Sequence, residues 1–417
     1  MLEYNSNDIT NCGRGVFPFM ENLIKKLLNN YYFCIFYIIT SLIVVTCFQF
    51  IPFIGILTKV AIAWGLLISL SNLYKMIKHK PNIIEILLYV FLFYTLIVNL
   101  VFYNNSSNLI VWLVTFIILS SFLCINKEKS KEELTEELLS ISKVYVIITA
   151  VLSLLSLLLY FTRITMMIGI TTIGYKNGLY NNENALGIAA AICILLSLYL
   201  FLSTNNKVSK ISYISICILQ AIMMIISTSR SSALMLIAII LVFIFLKAKN
   251  NILRSVIILV PICATFVLSR LSEGTLVKLT SGRIELWKNA SIVISKHFFF
   301  GVGNSNMISL VKAARDAVLP GINYGGLHNI YLQILAVNGI FALLIFLALI
   351  ILSLYKIVTK IDSIDFKTGK NYYILLSLIC GIFAINLFES NIVYILSFIS
   401  IILWTYLGYT LSIIDKE

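Results

Sequence analysis

Residues 329–355 read NIYLQILAVNGIFALLIFLALIILSLY, a run with no Lys, Arg, Asp or Glu. At about 1.5 Å of rise per residue, a helix of this length exceeds the ~30 Å hydrocarbon core of a bilayer. Similar runs recur at 32–52, 55–74, 83–103, 108–125, 143–162, 185–203, 210–228, 232–247, 253–269, 372–388 and 392–412. The whole chain is 60% apolar and only 12% charged. A soluble domain runs nearer half and a quarter, so this chain has too few polar side chains to cover a water-exposed surface. The expected fold class is an all-α polytopic membrane protein of about 12 transmembrane helices in one membrane domain.

Charge placement orients these helices. The net charge of +13 does not point to nucleic acid, because the cations are gathered in short loops between apolar runs. The stretches 75–80, 127–143, 207–210, 247–254 and 356–370, with the N-terminal tail and Lys416, hold about 20 of the 31 Lys and Arg and fall on one side if every run crosses once. That side is read as cytoplasmic. The expected organisation is a cytoplasmic tail over 1–30, helices 1–9 over 31–269, a large extracytoplasmic loop over 270–327, helices 10–12 over 328–412, and a cytoplasmic tail over 413–417. The tail is mixed in charge and does not read as a cleavable signal peptide; an interfacial helix is expected near Phe17–Leu28. The eight cysteines show no metal-binding spacing and most lie in apolar runs, so no metal site and no essential disulfide are expected.

The loop 270–327 exceeds the length at which loops are usually functional or disordered, and it is not low in complexity. It holds an amphipathic candidate at Ile284–Lys296, with Ile284, Trp287, Ile292 and Ile294 among polar residues, then Phe298–Phe300 and Gly301-Val302-Gly303. Such a helix would lie on the membrane or roof a cavity between spans.

Four polar clusters fall on the loop's side: Tyr180–Asn184, Ser227–Ser231, the loop with Ser281-Gly282-Arg283, Asn304 and His328-Asn329, and Phe388–Asn391. Their shared face is the argument for a site. Arg230 joins two apolar runs and reads either as a snorkelling anchor or as a guanidinium facing a phosphate, whose oxygens its planar fork can bind bidentately. Arg283 has the same two readings at the start of the amphipathic segment. Arg163 and Lys176 read as interfacial cations that could add to a basic funnel. His328, unlike His79 and His297, ends a Gly-rich loop directly before an apolar run, where an imidazole could take a proton from a hydroxyl. Glu389 could orient a sugar hydroxyl or an arginine, or be a plain interfacial carboxylate. Gly301-Val302-Gly303 follows no strand and reads as a tight turn, not a dinucleotide fingerprint.

In order along the chain, Asn182-Glu183-Asn184, Ser229-Arg230, Ser281-Gly282-Arg283 with Leu286-Trp287, Gly301-Val302-Gly303-Asn304, His328-Asn329-Ile330-Tyr331-Leu332-Gln333 and Asn338-Gly339-Ile340 resemble the motif set of the O-antigen polymerase/ligase superfamily. Glu183 stands where that family usually has proline. The resemblance implies a GT-C-like fold and an extracytoplasmic glycosyltransferase in the bacterial cytoplasmic (inner) membrane, using undecaprenyl-diphosphate-linked oligosaccharide. It implies that Arg230 and Arg283 contact the donor diphosphate and that His328 is the general base toward, or orients, the acceptor hydroxyl. Asn329, Tyr331, Asn304, Asn184, Glu389, Tyr180 and Arg163 are the expected substrate-binding residues. No metal or cofactor is implied, and a polysaccharide chain-length regulator is a candidate partner.

The expected function is polymerisation of O-antigen, capsule or exopolysaccharide repeat units. The alternatives are a ligase transferring glycan to lipid A-core and, from another class, a flippase for lipid-linked oligosaccharide. A transporter would show internal repeats and broken helices, and neither is visible in the sequence.

Overall fold

The computed structural model describes residues 21, 24–123, 125–169, 171–248, 250–268 and 270–416. The expected N-terminal tail lies largely outside them; of the interfacial helix expected near Phe17–Leu28, residues 24–27 are described and are helical. Twelve apolar helices match the twelve expected spans: α1 (Asn30–Val44), α2 (Pro52–Lys78), α3 (Ile83–Phe102), α4 (Ser106–Phe122), α5 (Lys131–Thr162), α6 (Glu183–Ser203), α7 (Lys207–Ser227), α8 (Arg230–Lys247), α9 (Asn251–Leu268), α14 (Ile330–Asp362), α15 (Phe366–Ile385) and α16 (Phe398–Ile414). Among the described residues, seven of them are long and apolar enough to cross a membrane, and the other five are shorter apolar helices. The chain is an all-α polytopic membrane protein.

Local sequence explains where these helices start. Asn29, Asn105, Ser130, Asn182, Asn206, Ser229, Asn329 and Ser397 each accept a hydrogen bond from a free backbone N–H of the helix they precede. Asn82 and Glu85 close a reciprocal capping box on α3. The helices divide into an enclosed set and a peripheral set. Every residue of α16 is buried, as is most of α6. Along α7, Ile211, Ile214, Ile218, Ile222 and Ile225 form an exposed apolar stripe, as expected of a lipid-facing surface.

The basic loops meet at one end of the bundle. Lys127 Nζ donates to the Lys80 carbonyl and to Glu85, Lys416 Nζ to the Lys127 carbonyl, and Arg254 grips Asp362 with both terminal nitrogens at 2.6 Å. The opposite end carries the hairpin β1 (Met166–Ile168) and β2 (Thr171–Ile173), and the long loop. That loop folds into α10 (Glu273–Leu279), α11 (Arg283–Lys296), α12 (Asn304–Ala314) and α13 (Ile322–Gly325). Of these, α11 is the amphipathic helix read from the sequence. It buries Leu286, Asn289, Ala290, Val293 and Ile294, and packs on α12 and α14.

Two features differ from expectation. First, α14 is broken at Gly339 (φ 80°, ψ −177°), whereas no broken helix was expected. The Ile340 N–H freed by the break donates to the Phe298 carbonyl at 2.9 Å. The Val302 and Gly303 N–H groups donate to the Ala336 and Val337 carbonyls at 2.9 and 3.0 Å. The loop thus completes the helix's hydrogen bonding, as irregular backbone at membrane depth requires. Glycine is needed on both sides: a Cβ on Gly301 would strike the Val337 backbone, and one on Gly339 the Phe299 backbone. Second, the tight turn expected at Glu389–Asn391 is an irregular segment over 386–397, and the last helix begins at Phe398 rather than 392. Side chains take over the backbone here. Asn386 Oδ1 accepts from the Asn391 N–H at 3.0 Å, Ser397 Oγ donates to the Asn391 carbonyl at 2.9 Å, and Trp404 Nε1 donates to the Ile392 carbonyl at 2.7 Å.

Candidate active site

Glu389 is the hub of the loop-side end. The segment 386–397 holds it 93% buried, where a lone carboxylate would be costly. It is not alone. Its Oε1 accepts from Ser231 Oγ at 2.9 Å, Asn184 Nδ2 at 3.1 Å and Arg283 Nη2 at 3.1 Å. Its Oε2 stands 3.5 Å from His328 Nδ1. Burial opposes ionisation, but His328, Arg283 and Ser231 together outweigh it and hold the carboxyl below its usual range. All four polar clusters of the sequence therefore meet at one carboxylate.

Each contributor is placed by its own element. Asn184 sits in the first turn of α6, with its Oδ1 accepting from Ser229 Oγ at 3.1 Å. Ser229 caps α8 and Ser231 lies in that helix's first turn. Arg283 opens α11, and its Nη1 also donates to the Phe388 carbonyl. His328 precedes Asn329, the cap of α14. A Cβ on Gly321 or Gly325 would run into the imidazole, so the Gly-rich turn 321–326 closes over the ring by lacking side chains there.

The remaining expected site residues are placed differently. Arg230 is exposed and is not a Glu389 ligand. Its Nη1 donates to the Lys278 and Leu279 carbonyls at 2.6 and 2.9 Å and to Ser281 Oγ at 2.9 Å, capping the C-terminal end of α10. Asn329 Oδ1 accepts from the Leu332 N–H at 3.0 Å, and Tyr331 Oη donates to the Phe383 carbonyl at 3.0 Å. Asn304 starts α12 and lines a small cavity of mixed polarity with Asn99, Asn108, Trp112, Asn338 and Tyr394. Tyr180 is fully buried, and Arg163 is the exposed, left-handed C-cap of α5. The sequence reading missed Ser231 and Ser390 as individual members of the site. The signal for Ser231 was its place two residues into a helix that starts beside Asn184; Ser390 had only its adjacency to Glu389.

His328 Nδ1 is buried and makes no hydrogen bond, and with a carboxylate 3.5 Å away a small approach would fix the imidazole's tautomer and orientation for proton transfer. A guanidinium held next to it can stabilise developing negative charge.

Residues 214–347 match the family model described as O-antigen ligase. The match runs from α7 past the break in α14, taking in Arg230, Arg283 and His328 but not Asn184 or Glu389. It agrees with the motifs: the chain is an all-α membrane protein similar to the O-antigen polymerase/ligase superfamily, and a function of the O-antigen polymerase/ligase type is supported. No curated protein matches the chain.

Proposed function

We propose that the protein is a metal-independent glycosyltransferase that polymerises lipid-linked repeat units of a bacterial surface polysaccharide. The donor is a glycan on undecaprenyl diphosphate, and the acceptor is the terminal sugar of a second lipid-linked unit. The observation that carries this reading is the convergence of His328, Arg283, Asn184 and Ser231 on Glu389.

In this mechanism Glu389 holds the Nδ1 side of His328, leaving Nε2 to take the proton from the attacking hydroxyl as the new glycosidic bond forms. The bond from the anomeric carbon to the diphosphate oxygen breaks, and undecaprenyl diphosphate leaves. Its negative charge is met by Arg283 and by Arg230, whose guanidinium the α10 carbonyls steady near the Ser281–Arg283 turn. Holding two lipid-tethered substrates on one face supplies much of the remaining rate enhancement. The site faces the extracytoplasmic side of the cytoplasmic membrane, with both termini in the cytoplasm, on the charge asymmetry of the loops. A chain-length regulator is the protein partner this reading suggests.

A ligase is the second reading, favoured by the description of the matching family model. It uses the same donor chemistry and differs in acceptor. The broken α14 is a trait shared with transporters; here the break is filled by loop hydrogen bonds. The purified protein in nanodiscs, given an undecaprenyl-diphosphate repeat unit with EDTA present, distinguishes the three. A ladder of longer lipid-linked glycans supports polymerisation. Transfer only to added lipid A-core makes it a ligase, and movement of donor across the bilayer without a new bond would sink both.

A further inference from the structure

His328 has φ +47°, the left-handed region that a residue with a side chain rarely occupies. Among the described residues three other non-glycine positions share it. Arg163 and Thr228 end helices, where such a conformation is ordinary, and Ser281 lies in the turn after α10. His328 ends no long helix; it stands just before the cap of one. Such strain persists only where the surroundings over-determine it.

The surroundings do so through three side chains from three different elements. Trp287 Nε1, on α11, donates to the Leu327 carbonyl at 3.0 Å. Gln333 Oε1, on α14, accepts from the Leu327 N–H at 3.3 Å. Ser390 Oγ, beside Glu389, accepts from the Asn329 N–H at 3.0 Å. The His328 N–H itself donates to the Gly325 carbonyl at 3.2 Å. Gln333 and Ser390 are buried, and the indole of Trp287 is partly buried. The same indole packs 5.5 Å from the ring of Phe388, the residue before Glu389. One side chain thus touches the backbone that carries the imidazole and the residue next to the carboxylate.

We propose that Trp287, Gln333 and Ser390 are positioning residues that hold the backbone on both sides of His328 in its left-handed turn, and so aim the imidazole at Glu389. Without them φ relaxes to the negative region, and the Cβ and ring swing away from the carboxylate. The proposal rests on the reading of His328 as the group acting on the acceptor hydroxyl, but its structural half can be read without activity.

The test uses full-length protein carrying His79→Gln and His297→Gln, a histidine-free purification tag and isotope-labelled histidine, so that His328 gives the single imidazole NMR signal. Trp287→Phe keeps the ring and removes the N–H, Gln333→Leu keeps the volume and removes the acceptor, and Ser390→Ala removes the hydroxyl. The expected result is a shifted or broadened His328 signal in each folded variant. With it comes a fall in kcat on the order of 10- to 100-fold, with KM little changed. Combined with His328→Ala, the same substitutions cost nothing further, because a positioning role vanishes with the group positioned. An unchanged imidazole signal in all three folded variants overturns the proposal, as does an equal loss in the His328→Ala background. If wild type transfers no glycan while the variants still move the signal, the functional reading fails and the positioning role stands.

Discussion

Arg283 and Arg230 carry the same expected role, yet the fold treats them oppositely. Arg283 is mostly buried, bonded to Glu389 and to the Phe388 carbonyl, inside the cluster that holds His328. Arg230 is exposed and spends one guanidinium nitrogen on the last carbonyls of α10. One region is a closed, charge-balanced centre; the other is a cation steadied at a helix end. A motif supplies the residue type, while the neighbouring backbone decides whether it builds the site or borders it.

The largest effect on chemistry is expected from His328→Ala, which removes the proton acceptor and lowers kcat by about 10²- to 10⁴-fold in a transfer assay, with the elution profile of the protein unchanged. Arg283→Ala follows. It leaves Glu389 buried without its cation, so both activity and thermal stability in detergent fall, the latter by about 3 kcal/mol. Arg283→Lys recovers only part of this, because a single ammonium does not reproduce the planar fork that bonds both partners. Arg230→Ala costs less stability, within about 1 kcal/mol, since water can solvate the carbonyls it leaves. Equal losses of stability from the two alanine variants would erase the distinction between centre and border.

Acidity probes the same centre. The folded-state carboxyl of Glu389 titrates below its unfolded value, so its contribution to stability is fully present above the unfolded value and is lost as pH falls through the folded one. Wild type is expected to lose melting temperature over that acidic window, and Glu389→Gln to lose less of it. The smallest effect on transfer is expected from Tyr331→Phe, which removes one hydrogen bond to the Phe383 carbonyl, worth about 1 kcal/mol of stability, and barely alters activity. A large loss of transfer there would mean that the Tyr331 hydroxyl contacts substrate.

Much of the architecture was legible because membrane crossing imposes a length and a composition. All twelve expected spans have a helix, and polar clusters far apart in sequence meet at one end because even and odd crossings force them there. What the sequence concealed depends on partners that leave no local trace. The break at Gly339 lies in an apolar run like any other; it becomes visible only when Phe298–Gly303 docks on it. Two of Arg230's three partners are backbone carbonyls, which no residue pattern encodes. The sequence shows only a tight turn at Glu389–Asn391 between two apolar runs, because Ile392, Val393 and Tyr394, buried in the structure, look like the start of the last helix. The cluster of amides and hydroxyls was legible as chemistry, but its centring on Glu389 was not. In the sequence that carboxylate is equally consistent with an interfacial anchor.

Glycan transfer, on the proposed mechanism, takes place at the Glu389 centre. The most direct measurement is single-turnover transfer from an undecaprenyl-diphosphate repeat unit by wild type, His328→Ala and Glu389→Gln, each folded and in nanodiscs. Donor binding is expected to be retained in both variants and the bond-forming rate to fall by at least about 100-fold in His328→Ala, with an intermediate loss in Glu389→Gln. Wild-type rates in His328→Ala would contradict the mechanism.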